Sequence, residues 1–198
     1  MVAPLRYTHP VAKVAFYVVL GTFGLLEWRI RLRSRLNREG ARADQGSPAV
    51  VFVTAAAGLT GAFVLAVDLH AAAIPDGRWP IFVAGLVLMV AGVAIRQWSV
   101  ALLGQLFTVD VRVHPGQGVV EVGPYRWVRH PSYTGLILTL LGIGLALGNW
   151  ASLAVLALLP TAGLVVRIHF EERALLEGIG EPYRRFAATR ARLIPGVW

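Results

Sequence analysis

The chain has 198 residues, of which 56% are hydrophobic and only 15% charged, and its mean hydropathy is +0.62. A soluble domain carries about 25% charged residues, so the composition excludes one and points to an integral membrane protein. The net charge of +8 does not point to nucleic acid, because the arginines flank apolar segments as they do beside anionic lipid. The absence of cysteine excludes disulfides, thiolate metal sites and a cysteine nucleophile.

Five apolar stretches in chain order are long enough to predict spans. They run from about Val11 to Trp28, Ala49 to Leu69, Trp79 to Leu103, Tyr133 to Leu147 and Trp150 to Ile168. The first is too long in its apolar core for a signal peptide. It is also followed by arginines where a small-residue cleavage site belongs. Spans four and five are separated only by Gly148-Asn149-Trp150, which predicts an antiparallel hairpin. Span four is short and holds Gly135, Gly142, Gly144 and Gly148, small residues that let helices approach closely in lipid.

The predicted link between spans one and two holds Arg29, Arg31, Arg33, Arg35, Arg38 and Arg42, whereas the next link holds only Arg78. The positive-inside rule then puts the N-terminus outside the cell membrane. The segment Gly104 to Ser132 and the C-terminal tail face the cytoplasm. Pro115, Gly116, Gly118, Gly123 and Pro124 make Gly104 to Ser132 irregular. The tail from Glu172 to Arg192 suits two short interfacial helices broken near Gly180 and Pro182. The expected architecture is an all-α, polytopic bundle of about five transmembrane helices in one compact membrane domain. Residues 1–104 supply helices one to three, and 105–198 supply helices four and five with a cytoplasmic-face site.

Two constellations carry chemistry. Arg129-His130-Pro131-Ser132-Tyr133-Thr134-Gly135 stands at the mouth of span four. Arg126, Arg129 and Tyr133 read as interface anchors and Pro131 as a first-turn helix residue. His130 is not needed by that reading, and polar groups at such depth often serve binding or chemistry. Arg167, Glu171 and Glu172 end span five. Arg167 and Glu171 are four apart on one face, so they form either an intrahelical ion pair or a holder for a carboxylate. His9, His70, His114, His130 and His169 lack helix-borne metal spacings, so no metal site is expected. A nucleophile elbow and a Walker loop are both missing.

Gly123-Pro124-Tyr125 followed by Arg129 to Gly135 resembles the isoprenylcysteine carboxyl methyltransferase family and the related phospholipid methyltransferases. So does Arg167 to Glu172 followed by Gly180-Glu181-Pro182-Tyr183. The resemblance covers about Leu106 to Pro195 and looks like the shorter prokaryotic members. It implies S-adenosylmethionine as cofactor, leaving as S-adenosylhomocysteine, bound without a Rossmann domain. Gln117, Gly118, Val119 and Val120 would line the cofactor through backbone groups. The family often has His-x-Leu-Val there, so a side-chain role for Gln117 is not carried over. Tyr125, His130, Pro131, Ser132 and Tyr133 would contact the cofactor. Glu171 would reach its amino end or hold Arg167, and Arg167 would face an acceptor carboxylate. Which of Glu171 and Glu172 meets the cofactor stays open.

The implied reaction is methyl transfer to a lipophilic acceptor, small or prenylated, that enters from the bilayer between membrane lipids. The first alternative is amine methylation, as on phospholipids, which needs a base near the acceptor. The others are an NADPH-dependent reductase of the sterol type and a non-enzymatic bundle or transporter. The transporter would need charged residues lining a path through the span interiors, and there the sequence offers little beyond Arg96 and Asp68.

Overall fold

The computed structural model describes residues 9–36, 41–42, 46–75, 78–109, 112–113 and 118–198. The helices are α1 (Pro10–Leu36), α2 (Ser47–Asp68), α3 (Arg78–Leu103), α4 (Pro131–Leu147), α5 (Trp150–Gly178) and α6 (Glu181–Ala188). Two residues each of β1 (Ala41–Arg42) and β2 (Arg112–Val113) pair antiparallel, which joins two loops and leaves the architecture all-α. Helices α1, α2, α3 and α5 are long and apolar enough to cross a membrane. Their outward side chains, among them Val14 and Val18 on α1, Val83 and Val87 on α3 and Leu158 on α5, remain exposed. In lipid such a face is satisfied and the helices satisfy their own backbone. The protein is a multi-pass membrane bundle.

The fourth expected span is the exception. Helix α4 has 17 residues, about 26 Å at 1.5 Å per residue, short of a hydrocarbon core of about 30 Å. It lies at the centre of the bundle, with Leu140, Ile143 and Leu147 almost fully buried, so its neighbours and not lipid surround it.

Four glycines hold α4 against α3. A Cβ on Gly92 would stand 2.5 Å from the Gly135 carbonyl and the Thr139 nitrogen. One on Gly142 would stand 2.6 Å from the Gly85 carbonyl and the Met89 nitrogen. The two helices run antiparallel, so Gly92 meets Gly135 and Gly85 meets Gly142, and the backbones touch at both points. A third close approach joins α5 to α2, where a Cβ on Gly163 would meet Thr54 Oγ1.

The α4–α5 hairpin turns on Gly148, at φ 67°, and on Asn149. Asn149 caps α5 by accepting from the Ser152 amide, and its Nδ2 donates to the carbonyls of Leu65 and Leu69. Ser152 Oγ donates to the Ala62 carbonyl at 2.7 Å. The hairpin end is thereby tied to the end of α2.

Two sequence expectations are corrected. The arginines at 29, 31 and 33 lie on α1, which runs on to Leu36; Arg31 rests over the Phe52 ring at 4.7 Å. The first of the two expected tail helices is the continuation of α5, which runs unbroken to Gly178. Nothing between Ile168 and Gly178 breaks a helix, and the chain turns only at Gly180, at φ 76°. The second tail helix is α6.

The glycine contacts carry a prediction. Gly92→Ala should destabilise the bundle by about 1–3 kcal/mol, as overpacking does. Gly21→Ala, whose new Cβ meets nothing within 4 Å, should be neutral or slightly stabilising. Thermal unfolding in detergent followed by circular dichroism separates the two; equal melting temperatures would refute the backbone contact.

Candidate active site

The motif at the head of α4 is positioned from three sides. Pro131 is the first helical residue and needs no N–H partner there. Below it the C-terminal tail runs alongside: the amides of Arg129 and His130 donate to the carbonyls of Ala191 and Arg192 at 2.8 and 3.0 Å. Thr134 Oγ1 donates to the Leu193 carbonyl at 2.8 Å. From α3, Arg96 Nη1 donates to Ser132 Oγ at 2.8 Å, while its Nε and Nη2 form a fork on Glu27 of α1. Arg96 is buried in α3 and is a structural cross-brace of α1, α3 and α4.

Above this motif lies a cavity of about 850 Å³, open solvent included, that is partly open to the exterior. Gly118, Val119, Val120, Tyr125, His130, Ser132, Tyr133, Arg167 and Glu171 line it. Leu103, Leu106, Leu175 and Ile179 add apolar surface. Pro131 is buried beneath the wall and does not line it. Gln117 lies outside the described residues.

At one side of the cavity three polar groups form a triangle. Tyr133 Oη donates to Glu171 Oε2 at 2.6 Å and accepts from Arg167 Nε at 3.2 Å. Arg167 Nε and Glu171 Oε2 are 3.5 Å apart. The other nitrogens of Arg167 donate to Ser47 Oγ and the Val109 carbonyl, each at 2.6 Å. Val109 is itself fixed by its amide donating to Ser34 Oγ at 2.7 Å.

Glu172 points elsewhere. It accepts from Arg129 Nη1 at 2.7 Å and from Arg192 Nε at 3.0 Å, and lies 3.2 Å from His130 Nε2. The His130 ring in turn stacks on Tyr133, with centroids 5.6 Å apart. Glu171 therefore faces the cavity and Glu172 backs its wall. Arg129, expected as an interface anchor, is instead a largely buried member of this charge cluster.

A family model described as isoprenylcysteine carboxyl methyltransferase (ICMT) matches residues 85–177. Over this region the chain is similar to that family. Protein-S-isoprenylcysteine O-methyltransferase A of Arabidopsis thaliana is 30% identical over 61% of this chain and 62% of its own length. YpbQ, an uncharacterized protein of Bacillus subtilis, is 32% identical over 50% of this chain and 58% of its own. The chain thus spans about six-tenths of the length of these curated relatives. A solved structure of the eukaryotic intramembrane Ras methyltransferase ICMT matches with a TM-score of 0.70. It is 20% identical and covers 98% of this chain and 70% of that one. At that identity the likeness is one of fold.

The family motifs thus meet in space, although they come from the loop before α4, the head of α4 and the last turns of α5. Sequence reading missed Tyr183 and Phe186, which reach the cavity from α6. Their spacing of three on a short amphipathic helix was visible, but it marks only an inward face and not what that face meets.

Two phenols of the cavity lie outside the membrane helices and are perturbed. Burial, then the Glu171 carboxylate and the Tyr133 phenol, push Tyr125 well above its ordinary value of 10.0. Burial and the carboxylates of Glu172 and Glu171 do the same to Tyr183. The folded protein keeps both neutral where the unfolded chain ionises. Their contribution to stability is complete below about pH 10 and is lost as pH rises above it. The melting temperature should therefore fall above about pH 10, and less steeply when both are changed to Phe. An identical alkaline limb in that double variant would refute the assignment.

Proposed function

We propose that the chain is an S-adenosylmethionine-dependent methyltransferase acting on a lipophilic carboxylate. The observation that supports this best is the convergence of Tyr125, His130, Ser132, Tyr133, Arg167 and Glu171 on one cavity. The residues fit the cofactor's chemistry. The cavity's leucines and isoleucine offer surface to a flat ring, and Glu171 offers a carboxylate to an ammonium. Bound there, the cofactor would supply a methyl group on a cationic sulfonium. Tyr125 and Tyr133 would face that cation with aromatic surface.

A carboxylate acceptor is already ionised, so the protein's task is alignment and exclusion of water. Alignment can lower such a barrier by about 7–11 kcal/mol in favourable cases. Arg167, held by Tyr133 and Glu171, would orient the acceptor. An amine acceptor is less well served, because it needs a base. Glu171, the carboxylate lining the cavity, is held by Tyr133 and Arg167, and His130 is engaged with Glu172.

The test is methyl incorporation from labelled S-adenosylmethionine into a lipid extract by the purified protein. Incorporation should be base-labile, as esters are, and mass spectrometry should identify the product. Arg167→Ala should lower the rate about a hundredfold; Arg167→Lys, which keeps charge but loses the fork, should also be impaired. Base-stable product would transfer the reading to N-methylation, and full activity in both variants would remove Arg167 from the mechanism.

We also place the cavity on the cytoplasmic side and the N-terminus outside, from the arginines that follow the first span. The chain has no cysteine, so Arg126→Cys gives a single label site at the cavity end. An impermeant maleimide should react with it in inside-out vesicles and not in intact cells; the reverse pattern inverts the topology.

A further inference from the structure

The polar groups around the cavity are unevenly satisfied. At the Arg167–Tyr133–Glu171 side, the guanidinium and the phenol both bond to protein atoms. On the side formed by the segment before α4 and by α6, two buried polar atoms have no hydrogen-bond partner among the described residues. They are Arg129 Nε and Tyr183 Oη. Both residues line the cavity, and Tyr183 is only 4% exposed.

Buried polar atoms without partners cost stability and are rare in folded proteins. Arg129 Nε can only donate, and a neutral phenol donates readily. Two donors together call for an acceptor. The local charge says which kind. Arg129 and Arg192 share a single carboxylate, Glu172, which leaves an excess of positive charge. Tyr183 lies within electrostatic reach of Glu172 and Glu171 first and of Arg129 and Arg192 next, so the cationic contribution to the subsite comes from Arg129.

We propose that Arg129 and Tyr183 form a carboxylate-binding subsite for the amino-acid end of the methyl donor. This rests on the methyltransferase reading above. The free ammonium and carboxylate of that end would meet opposite charges: Glu171 for the first, Arg129 with Tyr183 for the second. The acceptor's carboxylate belongs elsewhere, because Arg129 and Tyr183 both lie in segments outside the spans. Arg167 lies inside α5, where a ligand entering from lipid arrives.

Calorimetry on the full chain in detergent tests this with two probes, S-adenosylhomocysteine and its decarboxylated counterpart. The wild type should bind the carboxylate-bearing probe about tenfold or more tightly, the scale of a hydrogen bond to a charged group. Tyr183→Phe should lose about that factor for this probe alone, with an unchanged or higher melting temperature, since an unpartnered hydroxyl has gone. Arg129→Lys, which removes Nε while keeping a cation for Glu172, should show the same selective loss. The subsite is overturned if the wild type binds both probes equally, or if the variants weaken both probes alike or neither. A wild type that binds neither probe overturns the methyltransferase reading itself, and the subsite with it.

Discussion

The backbone contact between α3 and α4 is the constraint on which the site depends. In lipid there is no hydrophobic force between helices, and association rests on close packing and interhelical hydrogen bonds. Gly85 and Gly92 face Gly142 and Gly135 with no room for a Cβ on either side. This contact fixes the depth of α4 against α3, and with it what stands opposite the head of α4. Arg96 comes level with Ser132, and the Ser99 carbonyl accepts from Tyr125 Oη at 3.3 Å. Helix α4 is buried among its neighbours along its length, so lipid does not position it. It is positioned by two neighbours, α3 through glycines and α5 through the hairpin.

Adjacent glutamates on α5 divide the electrostatic work. Successive residues on a helix point about 100° apart, so Glu171 and Glu172 cannot face the same way. Glu171 meets the cavity and Glu172 meets Arg129, His130 and Arg192. Breaking a buried ion cluster by removing one partner costs more than the cluster contributes when intact. Glu172 is thus needed because two arginines and an imidazole have been brought together behind the wall. Those arginines are there because the tail, carrying Arg192, is bound by its backbone to the segment that carries Arg129.

Much of this was legible in the sequence. Apolar runs marked the helices, the short Gly148-Asn149-Trp150 link marked the hairpin, and Pro131 marked the start of α4. Arg167 and Glu171 were legible as a pair because a spacing of four is fixed by helix geometry. The partners of the α4 glycines were not, because Gly85 and Gly92, seven apart, look like any small residues in an apolar run until α4 is laid against them. The tail's grip on Arg129 and His130 was also hidden, since it runs through backbone amides and carbonyls that any sequence supplies. The end of α5 was misplaced because the mixture of leucines, glutamates and arginines after Ile168 changes the surroundings of a helix without ending it.

Arg167 poses the remaining physical question for the proposed reaction. Each of its nitrogens donates to a protein oxygen, so an acceptor carboxylate approaching the fork meets partners already in place. The bonds to Tyr133 and Ser47 come from side chains rooted in helices. The bond to Val109 goes to a loop carbonyl, a neutral acceptor, and charge-assisted bonds to a carboxylate are roughly twice as strong as neutral ones. Val109 is therefore the partner most readily exchanged. It is held on its other side by Ser34 of α1, so the exchange would couple acceptor binding to the contact between this loop and the arginine-bearing end of α1.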